Sequence, residues 1–122
     1  MDNGRPHERA KRLRLGAAVF NNKIYVAGGS DEDGEVLRSG EVYDPNTDTW
    51  SRIDDMKSKR FGGSLAVIKG QLVAIGGRSN WSHTPPVSTI EVYDKETDTW
   101  RLSGSMKNPR TELGVGVVRM LA

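Results

Sequence analysis

The sequence predicts an all-β fold of two four-stranded antiparallel units followed by one further strand. The first observation is an internal repeat. Glu41-Val42-Tyr43-Asp44-Pro45-Asn46-Thr47-Asp48-Thr49-Trp50 returns as Glu91-Val92-Tyr93-Asp94-Lys95-Glu96-Thr97-Asp98-Thr99-Trp100, with eight of ten positions identical at a shift of 50. The second is that other landmarks recur around it: Met56 with Met106, Arg60 with Arg110, and Ile24 to Gly29 with Leu72 to Gly77 at a shift of 48. The third is that short apolar runs alternate with turn-forming residues, and no stretch of helix length carries a 3.6-residue period.

Each unit opens with a small apolar strand, Leu15 to Phe20 or Gly63 to Ile68. Asn21-Asn22 and Lys69-Gly70 suit a tight hairpin turn, and the chain returns as Lys23 to Ala27 or Gln71 to Ile75. The glycine pairs Gly28-Gly29 and Gly76-Gly77 then supply backbone angles that other residues resist, or allow a neighbouring strand close approach. A loop of differing length follows in the two copies, which marks it as length-tolerant. The third strand is Gly40 to Asp44 or Thr89 to Asp94. Its turn begins with Asp44-Pro45 or Asp94-Lys95, the chemistry of a type I turn. The fourth strand begins at Thr49-Trp50 or Thr99-Trp100 and runs two or three residues beyond.

Four antiparallel strands in roughly 50 residues make one blade of a β-propeller, a unit that buries its faces only by stacking on neighbours. At these residues the sequence resembles the kelch-repeat family, marked by a double glycine after an apolar strand and then a Tyr and a Trp with six residues between them. Gly28, Gly29, Tyr43 and Trp50 fit in the first copy, and Gly76, Gly77, Tyr93 and Trp100 in the second. Met56-Lys57-Ser58-Lys59-Arg60 and Met106-Lys107-Asn108-Pro109-Arg110 match the Met-x-x-x-Arg link of kelch-like (BTB-BACK-kelch) proteins, whose C-terminal two repeats the chain most resembles. The organisation expected is a basic arm over 1–11, repeats over 12–59 and 60–109, and a terminal innermost-type strand over 110–122 that closes a ring in such proteins. The fold is thus a partial kelch β-propeller, two blades plus a terminal closing strand. Propellers have about four to eight blades, so two leave open flanks and strand edges. The expectation is that further blades come from a longer chain or from self-association, three copies giving six blades.

Composition narrows the function classes. The length, 122 residues, suits a single domain. Leu, Ile, Val and Phe number 26 and the net charge is only +2, so the chain has apolar content enough to fold. The absence of cysteine excludes disulfides, thiolate nucleophiles and Cys-ligated metals. His7 and His83 lack ligand spacing, so no metal and no cofactor are expected. The longest apolar runs, such as Leu65 to Ile68, are far below the roughly 18 residues that span a bilayer, and the start is not read as a signal peptide. Residues 1–14 hold five basic and two acidic side chains. Without a basic patch over the folded part, this arm is read as solvated, with neither nucleic acid nor membrane as partner. A cytoplasmic protein is expected, with cytoskeletal or nuclear placement as alternatives.

Catalysis finds no support in the residues: there is no thiol, no Ser-His-Asp arrangement with a usable His, and no glycine-rich loop that opens a helix. The copper oxidases of the kelch fold need a Cys-Tyr pair, which this chain lacks. Tyr43, Tyr93, Trp50 and Trp100, by resemblance, pack between blades, and the four paired glycines are structural. Arg60 and Arg110, with Arg12 as a weaker equivalent, occupy a position that the resemblance places at the partner-binding face, where some members grip acidic peptides. An arginine fork holds a carboxylate bidentately. The alternative is an inter-blade salt bridge to Asp54, Asp55 or Glu112. The loops Ser30 to Ser39 and Arg78 to Ser88 would share that face, making Ser30, Arg78, Asn80 and Trp81 candidate contacts, with Trp81 a binding anchor. Asp31, Asp33 and Glu35 have part of a calcium-loop spacing but not its terminal Glu or flanking helices. Asn80-Trp81-Ser82 is read as a chance glycosylation triplet.

The function expected is a protein-protein interaction module. By resemblance it is the substrate-recognition part of a cullin-RING ubiquitin ligase adaptor, taking an acidic peptide segment. Actin binding is the alternative, and a non-functional fragment or a kelch-fold enzyme stand behind it.

Overall fold

The computed structural model describes residues 11–82 and 85–105. Eight strands form two sheets. β1 (Gly16–Phe20), β2 (Lys23–Ala27), β3 (Gly40–Asp44) and β4 (Thr49–Ile53) make the first, in sequence order and antiparallel throughout. β5 (Ser64–Ile68), β6 (Gln71–Ile75), β7 (Thr89–Asp94) and β8 (Thr99–Ser105) repeat that meander. The all-β, two-blade architecture expected from the repeat is therefore the observed one. The closing strand expected over 110–122, Arg110 and the arm over 1–10 lie outside the described residues.

Local chemistry accounts for the turns. Asn21 and Asn22 have φ of 56° and 62°, and Lys69 and Gly70 have 53° and 77°. Two successive positive values suit the right-handed twist of a two-residue hairpin. The β3–β4 and β7–β8 turns begin with Asp44 and Asp94, whose Oδ1 atoms accept the N–H of Asn46 and Glu96 at 2.9 Å. They end on Asp48 and Asp98, left-handed at φ 53° and 52°. The carboxylate of each accepts the hydroxyl of its blade's tyrosine, Tyr43 or Tyr93, at 2.7 Å. The last strand runs further than the sequence implied, because an extra residue at a bulge beside Ile90/Glu91 lets β8 continue to Ser105.

The core lies between the blades. Tyr25, Ala27, Ile53 and Met56 from the first unit pack on Leu65, Leu72, Ala74, Tyr93 and Trp100 from the second. Trp100 is 1% exposed, and its indole N–H donates to the Asp54 carbonyl at 2.9 Å. The Asp54 N–H in turn donates to Asp98 Oδ1. Side chains alternate across a strand, so Tyr43, paired with Ile24, lies on the opposite face of its sheet from Tyr25. The Tyr43–Trp50 pair therefore sits on the flank of blade 1 that looks away from blade 2, and only the Tyr93–Trp100 pair is enclosed between the described blades. On the far face of blade 2, Val73, Ile75, Ile90 and Val92 form a second buried cluster.

Candidate functional site

The link from Ile53 to Arg60 belongs by its backbone to blade 1. Met56 N donates to Arg38 O at 2.8 Å, Arg60 N to Leu37 O at 3.0 Å, and Gly29 N to Arg60 O at 2.6 Å. The Arg60 side chain belongs to blade 2. Its Nη1 donates to the carbonyls of Gly76 and Thr89 at 3.0 and 2.8 Å, and its Nη2 to Thr89 Oγ1 and Glu91 Oε2 at 3.1 and 2.8 Å. Glu91, 0% exposed, also accepts the N–H groups of Lys57 and Ser58 at 2.6 and 3.1 Å. Arg12 makes the same cage in blade 1, donating to the carbonyls of Gly28 and Ser39, to Ser39 Oγ and to Glu41 Oε1.

Arg60 is only 3% exposed. It does not reach out to a carboxylate on another molecule, as expected from the sequence, because Glu91 of its own chain holds it. An inter-blade ion pair was the alternative reading, but the acid is neither Asp54 nor Asp55, and Glu112 lies outside the described residues. Asp55 lies near Arg38 and Arg52 at 3.8 and 3.7 Å instead. Burial lowers the Arg60 guanidinium pKa from its ordinary value, while the hydrogen bond and charge of Glu91 oppose that shift.

The two long loops lie over this frame. Ser30, a candidate contact, is buried at the loop base, bridged to Leu13 and Val36. Above it, Asp31 Oδ1 accepts the N–H groups of Asp33 and Glu35 at 2.9 Å, so a carboxylate shapes the acidic tip. In the second loop Arg78 bridges Phe61, and Asn80 Oδ1 accepts from Ser82 N and Oγ. Trp81 is 60% exposed. Its ring lies against buried Phe61 with centroids 4.2 Å apart and planes 34° apart, and its indole N–H donates to Gly34 O in the loop of the other blade.

The structure thus brings Trp81 to the Ser30–Ser39 loop and leaves it and Asn80 at the surface, while taking Arg60 and Ser30 inside. Sequence reasoning missed Glu41 and Glu91, although both stand at the head of the repeated decapeptide. It also missed Phe61 and Gly34 as the bed for Trp81, which no periodicity reports. Among the described residues no three His, Asp or Glu side chains group to hold a metal ion.

The kelch motif matches residues 11–57 and 59–107. The chain belongs to the kelch-repeat family. It is 42% identical over 71 residues to the F-box/kelch-repeat protein At1g67480 of Arabidopsis thaliana, taking in 58% of this chain and 19% of that protein. To the influenza virus NS1A-binding protein homolog of Mus musculus it is 42% identical over 71 residues, 58% of this chain and 11% of that one. To the human kelch repeat and BTB domain-containing protein 13 it is 35% identical over 83 residues, 67% of this chain and 18% of that one. The chain therefore spans about a fifth or less of these relatives. Among solved structures, that of YjhT superposes with a TM-score of 0.68 over 79% of this chain and 38% of that one, at 16% identity, a likeness of propeller fold alone.

Proposed function

We propose that this kelch chain is a non-catalytic protein-interaction module whose loop face recognises a partner, and that it serves substrate recognition for a cullin-RING ubiquitin ligase adaptor. The observation that carries the reading is the pinned, exposed Trp81, which joins the loops of two blades into one surface. A rigid aromatic held this way loses little entropy on binding and anchors an interface. Relatives whose names pair kelch repeats with an F-box or a BTB domain, and one named for binding a viral protein, support the same class.

Affinity capture with the tagged chain, beside Trp81→Ala and a variant carrying Gly-Ser in place of 31–35, tests this. Partners retained by the first and lost by both variants, with their ubiquitylation lowered when the chain is expressed as a competitor, support the proposal. A partner set indifferent to both changes overturns it. Actin binding, which the family also supports as a reading, predicts salt-sensitive cosedimentation with filaments instead. A cytoplasmic location goes with either reading and is checked by fractionation.

A further inference from the structure

With Arg12 and Arg60 both held by internal carboxylates, the charge offered at the loop face is set by other groups. Gly34, which accepts the Trp81 indole N–H, stands between Asp33 and Glu35, and both are exposed. Asp31 fixes the backbone of that tip through its two accepted N–H bonds. One ring face of Trp81 is covered by Phe61, and most of the residue is open to solvent. The loop already takes one cation: Lys11 Nζ lies 3.3 Å from Glu32 Oε2.

We propose that Trp81 and the Asp33–Gly34–Glu35 tip form a docking surface for a cationic segment of a partner protein. An Arg or Lys of that segment lies over the open face of the indole with its charge toward the two carboxylates. A cation over an aromatic face is attracted by the ring quadrupole, most strongly at Trp. Arginine adds planar stacking and a fork that matches a carboxylate. The assignment rests on the loop face being protein-binding, and it reverses the charge preference expected from Arg60.

Labelled dodecapeptides of alternating Gly-Arg and of alternating Gly-Glu, titrated by fluorescence anisotropy onto the full 122-residue chain, test it. The Gly-Arg peptide is expected to bind saturably. Binding should weaken roughly tenfold in Trp81→Ala and to a similar degree in Asp33→Asn/Glu35→Gln, be kept in Trp81→Phe, and fall with added salt. These side chains are exposed, and circular dichroism checks that each variant keeps its fold. No binding of the Gly-Arg peptide, or binding untouched by both variants, overturns the proposal. Binding of the Gly-Glu peptide that is lost in Trp81→Ala overturns the charge assignment alone and leaves the loop face a binding surface.

Discussion

Arg60 Nη2 lies 2.8 Å from Glu91 Oε2, and both residues are all but inaccessible to water. The same arginine accepts Gly29 N–H through its carbonyl in blade 1 and grips Gly76, Thr89 and Glu91 through its guanidinium in blade 2. One residue thus ties a blade to its neighbour by opposite ends. Its hydrogen bonds are what make a buried charge tolerable, since an ion pair without them costs more in desolvation than it returns.

Arg60→Ala should therefore act on stability first. It strands the Glu91 carboxylate, which among the described residues then keeps the Lys57 and Ser58 N–H groups alone. The expected loss is about 3–5 kcal/mol. Arg60→Lys should recover part of it, because an ammonium keeps the charge but cannot fork across Thr89 and Glu91. Urea unfolding of the three proteins checks this. Partner binding lost from a fully stable Arg60→Ala protein would contradict the structure.

Gly28 and Gly62 separate two kinds of glycine requirement. Both have φ of 74°, but a Cβ on Gly28 would overlap the Arg60 carbonyl oxygen, whereas one on Gly62 meets nothing within 4 Å. Gly62→Ala should cost about 1–2 kcal/mol, the strain of a left-handed L-residue. Gly28→Ala should cost about 3 kcal/mol or more, because the close contact between the end of β2 and the backbone of the link at Arg60 must also open. Equal denaturation midpoints for the two variants would refute the close approach.

Tyr93 gives the chain an alkaline limit. Burial, and then the hydrogen bond to Asp98, raise its pKa above the ordinary value of 10.0. The folded state thus holds the phenolic proton more tightly than the unfolded one. That contribution is complete below about pH 10 and is lost as pH rises toward the folded value. Tyr93→Phe should cost about 1 kcal/mol at neutral pH and make the loss of stability above pH 10 less steep. Tyr25, raised chiefly by burial, leaves a residual slope. Thermal melts from pH 8 to 11 measure both effects.

Much of this frame could be read from the residues because its determinants are local. Asn21-Asn22 and Lys69-Gly70 set the hairpins, Asp44 and Asp94 begin the turns, and the repeat fixes which strand is which. The partner of Arg60 could not be read that way. Glu91 lies 31 residues on, past two strands and a long loop, while the nearer Asp54 and Asp55 face other groups. Trp81 was legible as an aromatic in a loop, but its seat on Phe61 and Gly34 exists only once two blades stack.

The two repeat tryptophans test how the flanks are covered. Trp100 fills the space between blades and donates to Asp54 O, so Trp100→Ala should cost about 3–5 kcal/mol. Trp50 packs with Tyr43, centroids 5.1 Å apart, on the half-buried outer face of blade 1. Trp50→Ala should cost about 1–2 kcal/mol in the isolated chain. If the two costs converge as protein concentration rises, with the mass by light scattering rising in step, another blade covers that outer face as blade 1 covers Trp100. If Trp50→Ala stays mild at every concentration, the outer face of blade 1 remains at the solvent.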